Sequence, residues 1–257
     1  MLTQDQVDFY NENGYLLVKS LFSKDEAKAL RAEAHAIVDR MTRRGADIDA
    51  TWGSADKAGG ERGKTQILHC HDAQFQSAAF SRMIVDPRFC EAASQVMGTP
   101  NVELHHTKMF IKPPENGSPF PMHQDYHYFP HANNTMIAAI VHLDDAPLDK
   151  GCLRVYPGSH KLGPLDQNPE GGWHLPAERY SLEGATALPG EAGDAIFFSY
   201  LTIHGSGLNV SSEARTTILV QMREAGDTPT VDTHRSRGQG MMLHGIHPTA
   251  SPHMGDE

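Results

Sequence analysis

Apolar residues recur along this chain with two different periods. Over the first hundred residues the period is mainly that of a helix. Thr3 is placed to cap a short helix reaching about Asn13, with Val7 and Tyr10 on its apolar side and Gly14 to end it. Tyr15-Leu16-Leu17-Val18 reads as a short strand. Ser23 and Glu26 have the spacing of a capping box. Behind them Ala27, Leu30, Ala34, Ile37, Val38 and Met41 follow mostly at intervals of three and four, which predicts a helix to about Arg44 with one buried stripe. Residues 45–64, rich in Gly, Ala, Asp and Ser, read as a loop, and in a sharper reading as a lid over a site. A strand over 66–69 and two short helices over 73–84 and Pro87–Met97, stopped by Gly98, complete this part.

From Val102 the period becomes two. Val102, Leu104, His106, Lys108, Phe110 and Lys112 share one face of a strand; Glu103, His105, Thr107, Met109 and Ile111 share the other. A turn over 113–117 follows, then apolar strands over 136–143 and 153–156, a turn at 157–160 and a loop over 162–184. Strands over 195–198 and 216–222 come last, and an irregular tail packed on the surface is expected after 226. Helices followed by about eight strands indicate an α+β fold. The expected architecture is one domain over 1–257, with a helical part to about 100 flanking a double-stranded β-helix (jelly-roll, cupin-like) core over about 101–225.

Composition narrows the partners. Hydrophobic residues at 39% and charged residues at 21% allow a packed core. A formal net charge of −10, with no long Lys/Arg cluster, argues against nucleic acid or an anionic membrane surface and leaves a small molecule as the expected partner. The cysteines, Cys70, Cys90 and Cys152, are odd in number and form no CxxC, so neither a disulfide framework nor a zinc knuckle is suggested. The first residues lack a signal-peptide pattern, and no apolar run approaches the ~18 residues of a membrane span. A cytoplasmic location is the expectation.

The chemistry concentrates in two segments. In Pro121-Met122-His123-Gln124-Asp125-Tyr126-His127-Tyr128-Phe129-Pro130, His123 and Asp125 are two apart, so an extended backbone turns both side chains to one face. His204 follows 79 residues after Asp125, in Ile203-His204-Gly205-Ser206-Gly207-Leu208-Asn209, and Arg215 eleven residues after that. Two imidazoles and a carboxylate are the ligand set of a non-haem Fe(II) oxygenase. Such a set leaves three positions open, two for a bidentate 2-oxo acid and one for O2. The planar fork of Arg215 suits the distal carboxylate of 2-oxoglutarate. The bland alternatives are a satisfied core histidine at 123, a turn aspartate at 125, a Gly-Ser-Gly turn around His204 and a surface cation at 215. His127 is a candidate for substrate contact or for supporting hydrogen bonds, while Tyr126, Tyr128 and Phe129 are expected to wall the pocket.

These segments resemble the phytanoyl-CoA dioxygenase family of Fe(II)/2-oxoglutarate-dependent oxygenases. The first metal motif, His123 to Pro130, looks like that family's. So do Gly151-Cys152-Leu153, Tyr156-Pro157-Gly158-Ser159-His160-Lys161, Gly193-Asp194-Ala195-Ile196-Phe197-Phe198, the His204 segment and the opening Asn13-Gly14-Tyr15. The resemblance implies Fe(II) at His123, Asp125 and His204 as the catalytic centre. It implies 2-oxoglutarate as co-substrate, its C5 carboxylate at Arg215 with Ser206 as helper, and O2 as oxidant. Lys108 and Gln124 look similar to family residues that also reach the co-substrate. The implied activity is hydroxylation of an unactivated C–H of a small organic molecule, coupled to decarboxylation of 2-oxoglutarate to succinate and CO2. An acyl-CoA is the substrate variant. Asp125 stands where halogenating relatives carry a small residue, which favours hydroxylation. One departure is the lack of a tryptophan near Ala139-Ile140-Val141-His142. Rival readings are a non-catalytic metal-binding or sensor protein on the same barrel, and a zinc hydrolase with His127 as its acid/base.

Overall fold

The computed structural model describes residues 1–61, 63–249 and 251. Two capping boxes start the first helices. Thr3 accepts the Gln6 N–H and opens α1 (Gln4–Asn13); Ser23 accepts the Glu26 N–H and opens α2 (Lys24–Arg43). Between them lies β1 (Tyr15–Val18). The apolar stripe of α2 is buried at Ala27, Leu30, Ala34, Ile37 and Val38.

Two local expectations shift. The helix expected over 73–84 is broken: Ala73–Phe75 makes one tight turn, and α3 spans Ala78–Ile84. Ser77 is the cause, because its extended backbone lets its hydroxyl accept the Ala79 N–H at 3.1 Å and restart the helix. The strand expected at 66–69 lies at Leu68–His71 (β2), where it pairs with four later residues of a longer strand. Tertiary pairing, not the local apolar pattern, sets its limits. Helix α4 (Pro87–Met97) follows, with Asp86 as cap and Pro87 in its first turn.

The remaining strands are β3 (Val102–Lys112), β4 (Phe120–His123), β5 (Ile137–His142), β6 (Leu153–Val155), β7 (Thr186–Leu188), β8 (Ala195–Ser199), β9 (His204–Ser206), β10 (Arg215–Glu224) and β11 (Met242–His244). They form two antiparallel sheets. The larger runs β1-β8-β5-β10-β3-β11, with β2 also on β3; the smaller runs β4-β9-β6-β7. This is the jelly-roll, cupin-like α+β fold.

Alternation along the strands separates two interiors. On β8, Phe197 turns to the helices and packs 5.8 Å from Phe89, ring to ring, whereas Ile196 and Phe198 turn to the space between the sheets. On β10, Ile218, Val220 and Met222 join the helix side. Arg215, Thr217, Leu219 and Gln221 line a cavity on the other face.

The tail departs from expectation. Residues from 226 on are irregular for most of their length, but β11 adds an edge strand to β3, and Leu104 exchanges backbone hydrogen bonds with Met241 and Gly240 at 2.8 and 2.9 Å. Among the described residues no helix is long and apolar enough to cross a membrane.

Phe197 is fully buried between helix and sheet. Phe197→Ala is therefore expected to cost about 3–5 kcal/mol. Urea unfolding checks this: the midpoint falls while the slope stays unchanged.

Candidate metal centre

Pairing of β4 with β9 sets His123 directly across from His204. Strand β4 ends at His123, Gln124 stays extended, and a tight turn begins at Asp125. The Asp125 N–H donates to the Tyr200 carbonyl at 3.0 Å. The two-residue alternation thus survives long enough to bring the carboxylate to the imidazoles. Asp125 Oδ1 lies 3.4 Å from His123 Nε2 and 3.6 Å from His204 Nε2. One ligand atom from each residue can be chosen so that all lie within 4.8 Å of one another. Donors about 2.1 Å from one ion at right angles are roughly 3 Å apart, so the three fit one face of an octahedron.

The protonation pattern also fits. His123 Nδ1 lies 2.8 Å from the Pro121 carbonyl, and His204 Nδ1 lies 2.9 Å from the Thr202 carbonyl. A carbonyl only accepts, so each Nδ1 carries the proton and each Nε2 presents a lone pair. Burial pushes His204 down to about 4, with the His123 imidazole acting in the same direction. Burial works against ionisation of Asp125, yet the two imidazoles and the Gln221 amide hold its carboxyl down to about 2. Gln221 Nε2 donates to Asp125 Oδ2 at 2.6 Å, leaving Oδ1 for a metal.

The cavity around these ligands reaches Arg215. Its guanidinium is buried, donates to the Gly151 carbonyl, and has a buried Nε without a partner. No carboxylate among the described residues pairs with it. Burial lowers it to about 10, so it stays charged at neutral pH. Directly across β3/β10 from Arg215 is Lys112, fully buried, whose ammonium donates to Ser206 Oγ at 2.7 Å and to the Gly207 carbonyl. Ser206 is two residues beyond His204 on β9, about 6.6 Å along the strand. Arg215 and Ser206 line the cavity together with the three candidate ligands, and Lys112 lies behind Ser206.

Comparison with known proteins agrees with the site. The family model described as phytanoyl-CoA dioxygenase (PhyH) matches residues 10–217, which hold all three candidate ligands and Arg215. The chain belongs to the phytanoyl-CoA dioxygenase family. The peroxisomal phytanoyl-CoA dioxygenase of Rattus norvegicus is 34% identical over 224 residues, covering 81% of this chain and 64% of that protein's length. The ectoine dioxygenase of Bordetella bronchiseptica is 29% identical over 240 residues, covering 85% of this chain and 74% of that one. Among solved structures, the epimerase SnoN, in complex with Fe3+, alpha ketoglutarate and nogalamycin RO, superposes with a TM-score of 0.69 at 25% identity, covering 86% of this chain and 83% of that one. The carbocyclase SnoK superposes at 0.73 over 93% and 92% and, at 22% identity, shares the fold.

Other family-suggested positions fall differently. Lys108 lines the cavity across from Leu219, between the Arg215–Lys112 pair and Gln221 along the strands, and burial lowers its ammonium to about 8. Gln124 faces away from the cavity. Its amide donates to the Leu201 and Gly163 carbonyls at 2.6 and 3.0 Å and accepts the Leu165 N–H at 2.8 Å, so it ties down a loop. Alternation demands this, since its neighbours at 123 and 125 face inward. His127 gives Nε2 to the Leu165 carbonyl at 2.7 Å and stacks on Trp173 at 4.7 Å, outside the cavity lining.

Lys112, Gln221 and Trp52 were not singled out as site residues. Lys112 and Gln221 carried a signal, as polar residues on strand faces that otherwise turn into the barrel. Trp52 lies in the 45–64 segment and covers the metal site, with its ring 4.7 Å from His123 and 5.2 Å from Phe120. The Ser54 N–H donates to the Gly171 carbonyl at 3.0 Å, latching this segment to the loop that carries Trp173. Ile140 lines the cavity where no tryptophan is present, and an indole comes from Trp52 in the 45–64 segment instead.

The chain has two tryptophans, Trp52 and Trp173. Titration with Co(II) as a paramagnetic quencher is expected to dim the fluorescence mainly of Trp52. Trp52→Phe should abolish most of the quenching and Trp173→Phe should leave it; the reverse pattern would place the metal elsewhere.

Proposed function

We propose that this chain is an Fe(II)- and 2-oxoglutarate-dependent dioxygenase that hydroxylates an unactivated C–H of a small organic molecule. The observation that carries the reading is one cavity holding both a His-Asp-His face and a buried arginine with no carboxylate partner. His123 and His204 would hold the iron through Nε2 and Asp125 through Oδ1. When bound, the iron couples reduction of O2 by 2-oxoglutarate, which ends as succinate and CO2, to insertion of one oxygen atom into the substrate C–H.

The chain's own residues bind, orient and exclude water. Gln221 fixes the Asp125 carboxylate so that a single oxygen faces the metal. Arg215 supplies the charge, and Ser206, held from behind by Lys112, the hydroxyl that receive the C5 carboxylate of 2-oxoglutarate; a fixed, desolvated cation binds it with little reorganisation. Trp52 covers the His123 side against solvent. No side chain is required as a base, and His127, the acid/base expected of a zinc hydrolase, is engaged with the Leu165 carbonyl and Trp173 outside the cavity lining. Asp125 fills the third ligand position, which supports hydroxylation over halogenation. Three buried, unpaired cysteines support a reducing, cytoplasmic setting.

Anaerobic addition of Fe(II) and then 2-oxoglutarate is expected to give a weak visible charge-transfer band. Asp125→Ala should abolish both the band and succinate release; full activity in that variant would sink the assignment. A hydrogen-bonded charge of this kind contributes roughly 1.5–3 kcal/mol. Arg215→Ala should thus raise the apparent KM for 2-oxoglutarate about 10- to 100-fold, and an unchanged KM would remove Arg215 from the site.

A further inference from the structure

The cavity has a further wall, formed by β2, β3 and the tail, which supplies neither a metal ligand nor the carboxylate clamp. There β2 and β3 set His71 in register with Lys108. His106, two positions away on β3, has its ring 6.2 Å from His71 and 6.1 Å from His234. His234 comes from the tail, beyond the matched family segment. Its backbone is left-handed, with φ 52, and its ring packs edge-on against Phe129 and Tyr128 at 5.3 and 5.7 Å. Such a conformation at a non-glycine residue persists only where its surroundings hold it. Here the flanking chain is pinned: Ser236 Oγ donates to the His105 carbonyl at 2.5 Å, and Gln74 donates to the Arg237 carbonyl at 3.1 Å.

This wall is short of negative charge. The Lys108 ammonium makes no hydrogen bond or ion pair among the described residues; its nearest aromatic neighbour is Phe110, with the ring centroid 4.9 Å away. Asp125 is the one carboxylate in the cavity lining, and it serves the metal. With the C5 carboxylate of 2-oxoglutarate at Arg215, the Lys108 ammonium still lacks an anion, and His71 and His234, held neutral by burial and by the Lys108 charge, flank it. His71 and His234 are exposed enough to meet an incoming molecule.

We propose that Lys108, His71 and His234 form the docking point for an oxyanion group on the primary substrate, which anchors that molecule with a C–H toward the metal. The proposal rests on the dioxygenase reading above. It also gives the tail a specific role, as the segment that completes the substrate wall of the site. A carboxylate and a phosphonate share the required chemistry, so the test carries one arm for each.

The experiment uses the full chain, loaded anaerobically with Fe(II) and 2-oxoglutarate. Formation of the visible band reports the dioxygenase reading by itself. The loaded protein is then titrated with butyrate, with methylphosphonate and with neutral butyramide. At least one anion should shift the band with saturation, and butyramide should not; the anion that acts at lower concentration identifies the oxyanion. Lys108→Met and His234→Gln should each weaken that saturation tenfold or more, while 2-oxoglutarate affinity, read from the same band, moves less than twofold. The proposal is overturned if neither anion shifts the band or if butyramide shifts it equally. It is also overturned if Lys108→Met weakens 2-oxoglutarate and spares the anion response, because the lysine then serves the co-substrate.

Discussion

The site depends on one strand pairing. His123 and His204 meet because β4 and β9 align with these two residues opposite each other. Side chains alternate along a strand, so a slip of one position would turn an imidazole out of the cavity. The register is held from both sides, since β9 also pairs with β6, Val155 facing His204 and Leu153 facing Ser206. Gly205 between them permits the close approach: a Cβ there would meet Met122 Sδ at 2.6 Å and the Phe120 carbonyl at 2.8 Å. The short His-Gly-Ser segment therefore carries a ligand, a contact and a clamp partner in three consecutive residues.

Electrostatics sets the direction of the cavity. Arg215 and Lys112 oppose each other across β3 and β10, both desolvated, and burial pushes Lys112 well below its ordinary range, with the Arg215 charge adding to this. Their partners within the chain are neutral oxygens. A buried guanidinium without a counter-ion weighs against folding. A carboxylate bound beside it would offset that cost and make the folded state more stable, by the linkage of ligand and folding. Along β10 the inward side chains pass from Arg215 through Thr217 and Leu219 to Gln221, a ladder from anion to metal with an apolar middle.

Much of this was legible in the sequence. The two capping boxes, the stripe of α2 and the alternation of β3 and β10 follow from local chemistry. His123, Asp125, His204 and Arg215 stand out because a metal and a diacid demand those residue types. What was hidden depends on contacts distant in sequence. Gln124 sits inside the metal motif, yet the pleat turns it outward. Strand β9 is too short to announce itself, and reads as a turn until β4 and β6 flank it. That Lys112 lies opposite Arg215, and Lys108 opposite Leu219, shows only once β3 is set against β10. Nothing local in the tail marks His234, whose flanking chain is held by the Ser236 and Arg237 contacts to His105 and Gln74.

The contact between the two covering loops bears on speed rather than affinity. Gly53 and Gly171 lie backbone to backbone, and a Cβ on Gly171, whose φ is 73, would meet the Ser54 nitrogen at 2.6 Å. The two loops are thus joined by main chain, and the segment bearing Trp52 cannot lift without breaking from its neighbour. If passage of small molecules requires the Trp52 segment to open, it would wait on the same unlatching event, and loop release instead of bond breaking would set the pace of a cycle. Bulk introduced at position 171, remote from the metal, would then register as a change in turnover number.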